Sequence, residues 1–362
     1  MTKLATSPTS NTSSIKWNEV ISLTALNVAI LISWIAYQEY QPHLLHKFGL
    51  EHLSGVLVYA KAIIVVVIPI VAGFIADKLI AKKNNHFFVY MIGVSATSMI
   101  FMIVATIIGL GPESSFALFL PVMIILWLIT MNIFISPAAS YIEMFAPINK
   151  LPLVMGVIVL VMNIVNSLEP IVVALINFFG DTLTFVVGAV LISSTGFIFK
   201  KVMTKEVLTK EENHHLSTTN NYTIIIVSAL LLGLCKAFLS EFIPQTDTLS
   251  KISGSNFAFL MLSVSALMAF IFCFVININQ YKTFILLSAF FLTIGAISLL
   301  FFNEYSALLI FGSVVISFGY SILQVLGLPL TIMYSQKRHL TFNVGLFIGV
   351  SEIGDGLFEI LL

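Results

Sequence analysis

The sequence predicts an all-α protein that crosses a membrane many times. Three observations carry that reading. The composition is 59% hydrophobic and only 9% charged. Apolar runs of bilayer length recur from one end of the chain to the other. The polar intervals between them are mostly short. Water-soluble domains carry about 45–50% apolar and about 25% charged residues. A soluble core cannot use this much apolar surface, so the solvent must be largely lipid. The zero net charge leaves no footprint for nucleic acid. Cys235 and Cys273, the only cysteines, sit in apolar runs and read as small buried hydrophobes. The Ser- and Thr-rich tail, 1–18, precedes a full-length span, which is not the order of a cleavable signal.

A spanning helix needs about 20 apolar residues. Such runs fall at 19–40, 54–76, 87–110, 116–143, 152–176, 182–200, 222–243, 256–278, 283–302, 305–334 and 340–362. They define eleven spans. The longest polar interval, 204–221, lies between spans six and seven. It divides a first bundle, 19–203, from a second, 222–362. With the N-terminus in the cytoplasm, the inner side carries Lys3, Lys16, Lys78, Lys82, Lys83, Lys150, Lys200, Lys201, Lys205, Lys210, Lys282, Lys337 and Arg338. The outer side carries only Lys47 and Lys251, and Lys61 and Lys236 fall within spans. Basic residues concentrate in cytoplasmic loops, so this asymmetry fixes the expected orientation.

The halves repeat one another. AYQEYQP (36–42) and AFLSEFIP (237–244) each place a glutamate, an aromatic residue, a spacer and a proline near the end of an apolar run. NKLPLVMGVIVLVMNIVNSLEP (149–170) aligns without gaps to RHLTFNVGLFIGVSEIGDGLFE (338–359). Gly156 meets Gly345, Asn163 meets Glu352, and Asn166 meets Asp355. Pro137 and Pro329 lie in the spans just before. A six-plus-six parallel repeat is typical of transporters with two bundles around a central site.

On these residues the chain resembles the major facilitator superfamily. GFIADKLIAKK (73–83) is similar to that family's loop motif between spans two and three, with Gly73, Asp77, Lys78, Lys82 and Lys83 matching and Ile80 replacing the second glycine. SPAASYIEMFAP (136–147) resembles the family's span-four ending. The resemblance implies two pseudo-symmetric six-helix bundles and transport of a small solute by alternating access. It also implies a conformational latch, in which Asp77 docks against the opposite bundle on the inner side. The family has twelve spans, so the second bundle is expected to lack its last one and the sequence to be C-terminally truncated. The expected protein is a monomer in the inner or plasma membrane, without a cofactor.

Ionisable groups inside spans are functional candidates, because a charge in hydrocarbon costs at least about 2.5–3.5 kcal/mol. Glu352, Asp355 and Glu359 form one acidic stripe within about 60° on a helix. Three like charges that close cannot all ionise cheaply, which suits a proton-accepting site. Glu39 and Glu241 sit near the outer ends of spans one and seven. They read either as interfacial carboxylates or as cleft groups in gating or ion coupling. Lys61 either snorkels to the interface or pairs with a carboxylate such as Glu39. Lys236 faces the same choice, and its spacing of five from Glu241 puts the two on different faces of an α-helix. Asn163, Asn166 and Ser167 form a polar strip in span five, with Glu169 at its outer end. That strip serves either a helix contact or a cavity. Trp34, Tyr37, Tyr59 and Gln324 are further lining candidates. His43, His46 and His52 read as a solvated outer loop rather than a metal site. No Walker loop, nucleophile elbow or zincin helix is present, so the chain does not read as an enzyme. The reading is a secondary transporter coupled to protons. An uncoupled facilitator, or a polytopic receptor or assembly protein, stands as the alternative.

Overall fold

The computed structural model describes residues 14–209, 217–243, 254–302 and 305–361. Lys3, Lys210, Lys251, Pro244 and Leu362 lie outside them. Every regular element among the described residues is helical. The first bundle holds α1 (Trp17–Lys47), α2 (Ser54–Lys83), α3 (Phe88–Leu110), α4 (Leu120–Ile133), α5 (Ile135–Ser140), α6 (Leu151–Ser167) and α7 (Glu169–Thr209). The second holds α8 (Tyr222–Ala237), α9 (Gly254–Val275), α10 (Tyr281–Phe301), α11 (Ser306–Met333), α12 (Leu340–Ser351) and α13 (Ile353–Leu361). Among the described residues nine helices are long and apolar enough to cross a bilayer. Large apolar side chains such as Leu118, Phe178, Phe274 and Leu286 point outward at 66–82% exposure. A surface of that kind is stable only against lipid, and the chain is an integral membrane protein.

Three expected boundaries move. The run 152–176 is not one helix: α6 ends at Ser167, Leu168 leaves helical geometry, and α7 starts at Glu169 with Pro170 in its first turn. A proline is tolerated there, because its missing N–H is one that a helix start leaves unpaired. Span six is longer than 182–200, running unbroken to Thr209 from a kink at Gly180. Gly180 has φ of 74°, a conformation that glycine adopts without the Cβ clash. The last span is two helices separated by Glu352.

Two helix pairs dominate the contact between the bundles. Along the first, α2 runs against α12 and α13. Gly73 abuts the Thr341 carbonyl, Gly345 the Pro69 carbonyl and Gly349 the Val66 carbonyl. A Cβ at any of these would collide with backbone, so glycine sets the separation. Along the second pair, α6 runs against α9, and Gly156 seats the Cys273 side chain. The repeat relates span two to span eight and span five to span eleven, so the two junctions are equivalent.

Candidate functional site

Lys236 occupies the last turn of α8. Its Nζ lies 2.6 Å from Asp355 Oδ2, 2.9 Å from Glu352 Oε2 and 3.1 Å from Glu352 Oε1. One ammonium thus bridges two carboxylates of the last span. These groups are partly sheltered, with side-chain exposures of 34%, 29% and 18% for Lys236, Glu352 and Asp355. The other Asp355 oxygen, Oδ1, is buried without a hydrogen-bond partner. Local backbone geometry makes the bridge possible. The helix breaks at Glu352, whose N–H bonds to the Gly349 carbonyl at 3.2 Å. Gly233 and Gly354 bring α8 and α13 into backbone contact just beside it.

Beyond Lys236 the chain runs as a π-helix, Phe238–Phe242, containing Glu241. Wider turns rotate each residue less than an α-helix does, and such insertions favour functional sites. Glu241 comes within electrostatic range of Asp355, Glu359, Lys61 and Lys236. The expectation from the spacing of five assumes an α-helix, whereas this stretch is a π-helix. Tyr320 of α11 completes the cluster beside Lys236.

Lys61 does not pair with Glu39. Its Nζ lies 2.8 Å from Glu359 Oε1, tying α2 of the first bundle to α13 of the second. Gly356 against Ala62 allows the approach. Glu359 is therefore partnered rather than free in the headgroups. The acidic stripe is a set of ion pairs, with each lysine within hydrogen-bond distance of at least one acid.

Glu39 stays within the first bundle, accepting from Asn177 Nδ2 at 3.2 Å, with Glu169 close enough to repel it. Lys47 pairs with Asp181 at 2.8 Å beside the Gly180 kink. Asn163 donates to Gln324 Oε1 at 3.1 Å, a polar contact between α6 and α11, while Asn166 is half-buried without such a bond. Trp34, Tyr37 and Trp127 form an aromatic cluster, Tyr37 and Trp127 stacked at 4.9 Å. Tyr59 faces outward, 57% exposed.

At the opposite end of the α2–α12 junction, Asp77 caps a helix of the other bundle. Its Oδ2 accepts the Phe342 N–H at 2.8 Å and its Oδ1 the Thr341 N–H at 3.1 Å. A carboxylate there satisfies unpaired amides and meets the positive end of the helix dipole. Gly73, one turn earlier, supplies the clearance. Lys78 lies over the Phe74 ring at 4.3 Å, and Lys82 and Lys83 are exposed. A cleft of about 540 Å³ opens beside the cap, lined by Asp77, His86, Glu143, Lys337 and Arg338 among others.

Sequence reasoning found the acids, lysines and asparagines but missed Asn177, Tyr320 and the Thr341 and Phe342 amides. Backbone amides carry no residue signature. Asn177 lies past the helix break at Leu168, on the next helix.

This is a polytopic α-helical membrane protein of two bundles, with a capped junction at one end and an ion cluster toward the other. No family model and no curated protein matches the sequence. Solved structures do match its fold. The human organic anion transporter MFSD10 (TETRAN) aligns with TM-score 0.67 at 12% identity, over 96% of this chain and 93% of that one. The proton:xylose symporter XylE aligns at 0.68 and 13%, over 96% and 88%. A bacterial homologue of the iron transporter ferroportin, in an outward-facing state, aligns at 0.66 and 14%, over 96% and 90%. The fold is that of the major facilitator superfamily.

Proposed function

We propose that the chain is a proton-coupled secondary transporter of a small solute, working by alternating access, with the Asp77 end in the cytoplasm. The observation that carries this is the cluster Lys236–Glu352–Asp355–Glu241. Two acids bridge to one lysine in apolar spans with a third in electrostatic range, beside a second pair, Lys61–Glu359, that crosses between bundles. Ionised throughout, the six groups hold two positive and four negative charges. An excess of carboxylate in a weakly hydrated setting is relieved by taking up protons or a cation. The helix breaks at Glu352 and in the π-turn let these side chains rearrange without unwinding whole spans.

In the proposed cycle, protonation of Glu352 or Asp355 frees Lys236, and rupture of Lys61–Glu359 lets the bundles part on that side. Asp77 holds the other end shut until the bundles rock. The fold supports transport as a class, since similar structures include symporters of xylose and of fucose with protons. Their solutes differ widely, so the fold leaves the solute to experiment.

The test is reconstitution into liposomes that enclose a pH dye, followed by a panel of sugars, amino acids, carboxylates, peptides and cationic drugs. A solute that changes internal pH only in protein-containing vesicles supports coupling. Solute uptake that ignores an imposed pH gradient supports an uncoupled facilitator instead.

A further inference from the structure

At the Asp77 end, a second polar network lies outside the spans. Asn220, just before α8, uses its whole amide. Its Oδ1 accepts the Gln336 backbone N–H at 2.8 Å and Asn343 Nδ2 at 2.9 Å. Its Nδ2 faces the Tyr222 hydroxyl at 3.1 Å and His339 Nδ1 at 3.1 Å. Beside it, Asn221 N–H donates to the Tyr334 carbonyl at 3.0 Å, and Gln336 Nε2 donates to the Thr218 carbonyl. The segment entering the second bundle is thereby stitched to the turn between α11 and α12. That turn leads directly into the two amides held by Asp77.

The chemistry fixes the state of His339. A backbone N–H can only donate, so the atom of Asn220 that Gln336 reaches must be the oxygen. The atom facing His339 is then the amide nitrogen, a donor. Nδ1 must accept, which a neutral imidazole does and an imidazolium cannot. Rotating the amide to suit a protonated ring would break the bonds from Gln336 and Asn343.

We propose that Asn220 and His339 form a pH-sensitive clamp, closed while the imidazole is neutral, that ties the entry of the second bundle to the capped start of α12. Protonation puts two donors face to face. It also places positive charge at the start of α12, against the helix dipole, and beside Lys337 and Arg338 of the same turn. Asp77, facing from α2, pulls the other way, but its two oxygens are already taken by the Thr341 and Phe342 amides. Tyr222 faces from α8, Tyr334 closes the α11 side, and His86 and Glu143 stand across the adjoining cleft. The balance opens the clamp when His339 takes up a proton. The clamp goes beyond transport and stands whether or not the chain moves a solute.

Hydrogen exchange on the whole protein in nanodiscs tests it, read at the Asn221 and Gln336 amides at pH 7.5 and 5.5 after correction for the pH dependence of unstructured exchange. Protection should fall about fivefold at the lower pH in the wild type. His339→Asn keeps an acceptor near the Nδ1 position without titrating there, and should abolish the change. Asn220→Asp keeps the bonds from Gln336 and Asn343 but offers His339 an acceptor, so protection should rise as pH falls. Wild-type protection that ignores pH would overturn the clamp. So would an unaltered pH response in His339→Asn, or an Asn220→Asp protein that responds in the wild-type direction.

Discussion

Glu39 and Glu241 occupy matching places in the two halves yet live in different surroundings. Glu39 lies on a regular helix and accepts from Asn177 within its own bundle. Glu241 lies on a π-turn, among Lys236, Asp355, Glu359 and Lys61. Where the second half places Lys236, just before Ala237, the first has the buried Ile35, just before Ala36. The same division separates the matched inner strips: Asn163 and Asn166 are neutral, whereas Glu352 and Asp355 are bridged by an ammonium. The two halves differ in where their ionisable groups meet. The first bundle contributes Lys61 and the Asp77 cap, both of which act across the junction.

The largest effect that tests this asymmetry should come from Lys236→Met. Removing one partner of a buried ion pair costs about 3–5 kcal/mol, and the third of this side chain that is exposed reduces that to about 2–3 kcal/mol. A thermal melt of purified protein should show the loss. Adding Glu352→Gln should recover part of it, because fewer charges are stranded. A melt that does not move would place the stabilisation elsewhere. Asp77→Ala comes next, at about 1 kcal/mol for a lost helix cap. It should open the α2–α12 junction, raising the labelling rate of an engineered cysteine at Thr341 about fivefold. An unchanged rate would mean that the glycine contacts alone hold that end. Glu39→Gln should be the mildest, within about 0.5 kcal/mol in the same melt, since an exposed hydrogen-bonded pair contributes little. A loss as large as that of Lys236→Met would break the comparison.

The spans were legible because lipid demands long apolar runs, which composition cannot hide. Their interruptions were not. Within the run 152–176 the polar cluster around Leu168 reads as a cavity or contact strip, and only Pro170 hints that a new helix starts there. Among site residues, Asp77 was legible through its motif. The acids were legible because a carboxylate in a span stands out against its neighbours. Their partners were not, since Lys61 and Glu359 lie 298 residues apart and pairing at that range is set by glycines that admit close helix approach. The setting of Glu241 was illegible for a different reason: periodicity assumes an α-helix, and the π-turn breaks that assumption.

The most direct test of the central claim compares the two halves in one assay. Once a solute that changes internal pH is found in liposomes, Glu352→Gln, Asp355→Asn and Glu39→Gln proteins are reconstituted at equal density. The account predicts that the solute-dependent pH change disappears in the first two and survives in the third. A pH change that persists in both Glu352→Gln and Asp355→Asn, or that vanishes in Glu39→Gln alone, would contradict it.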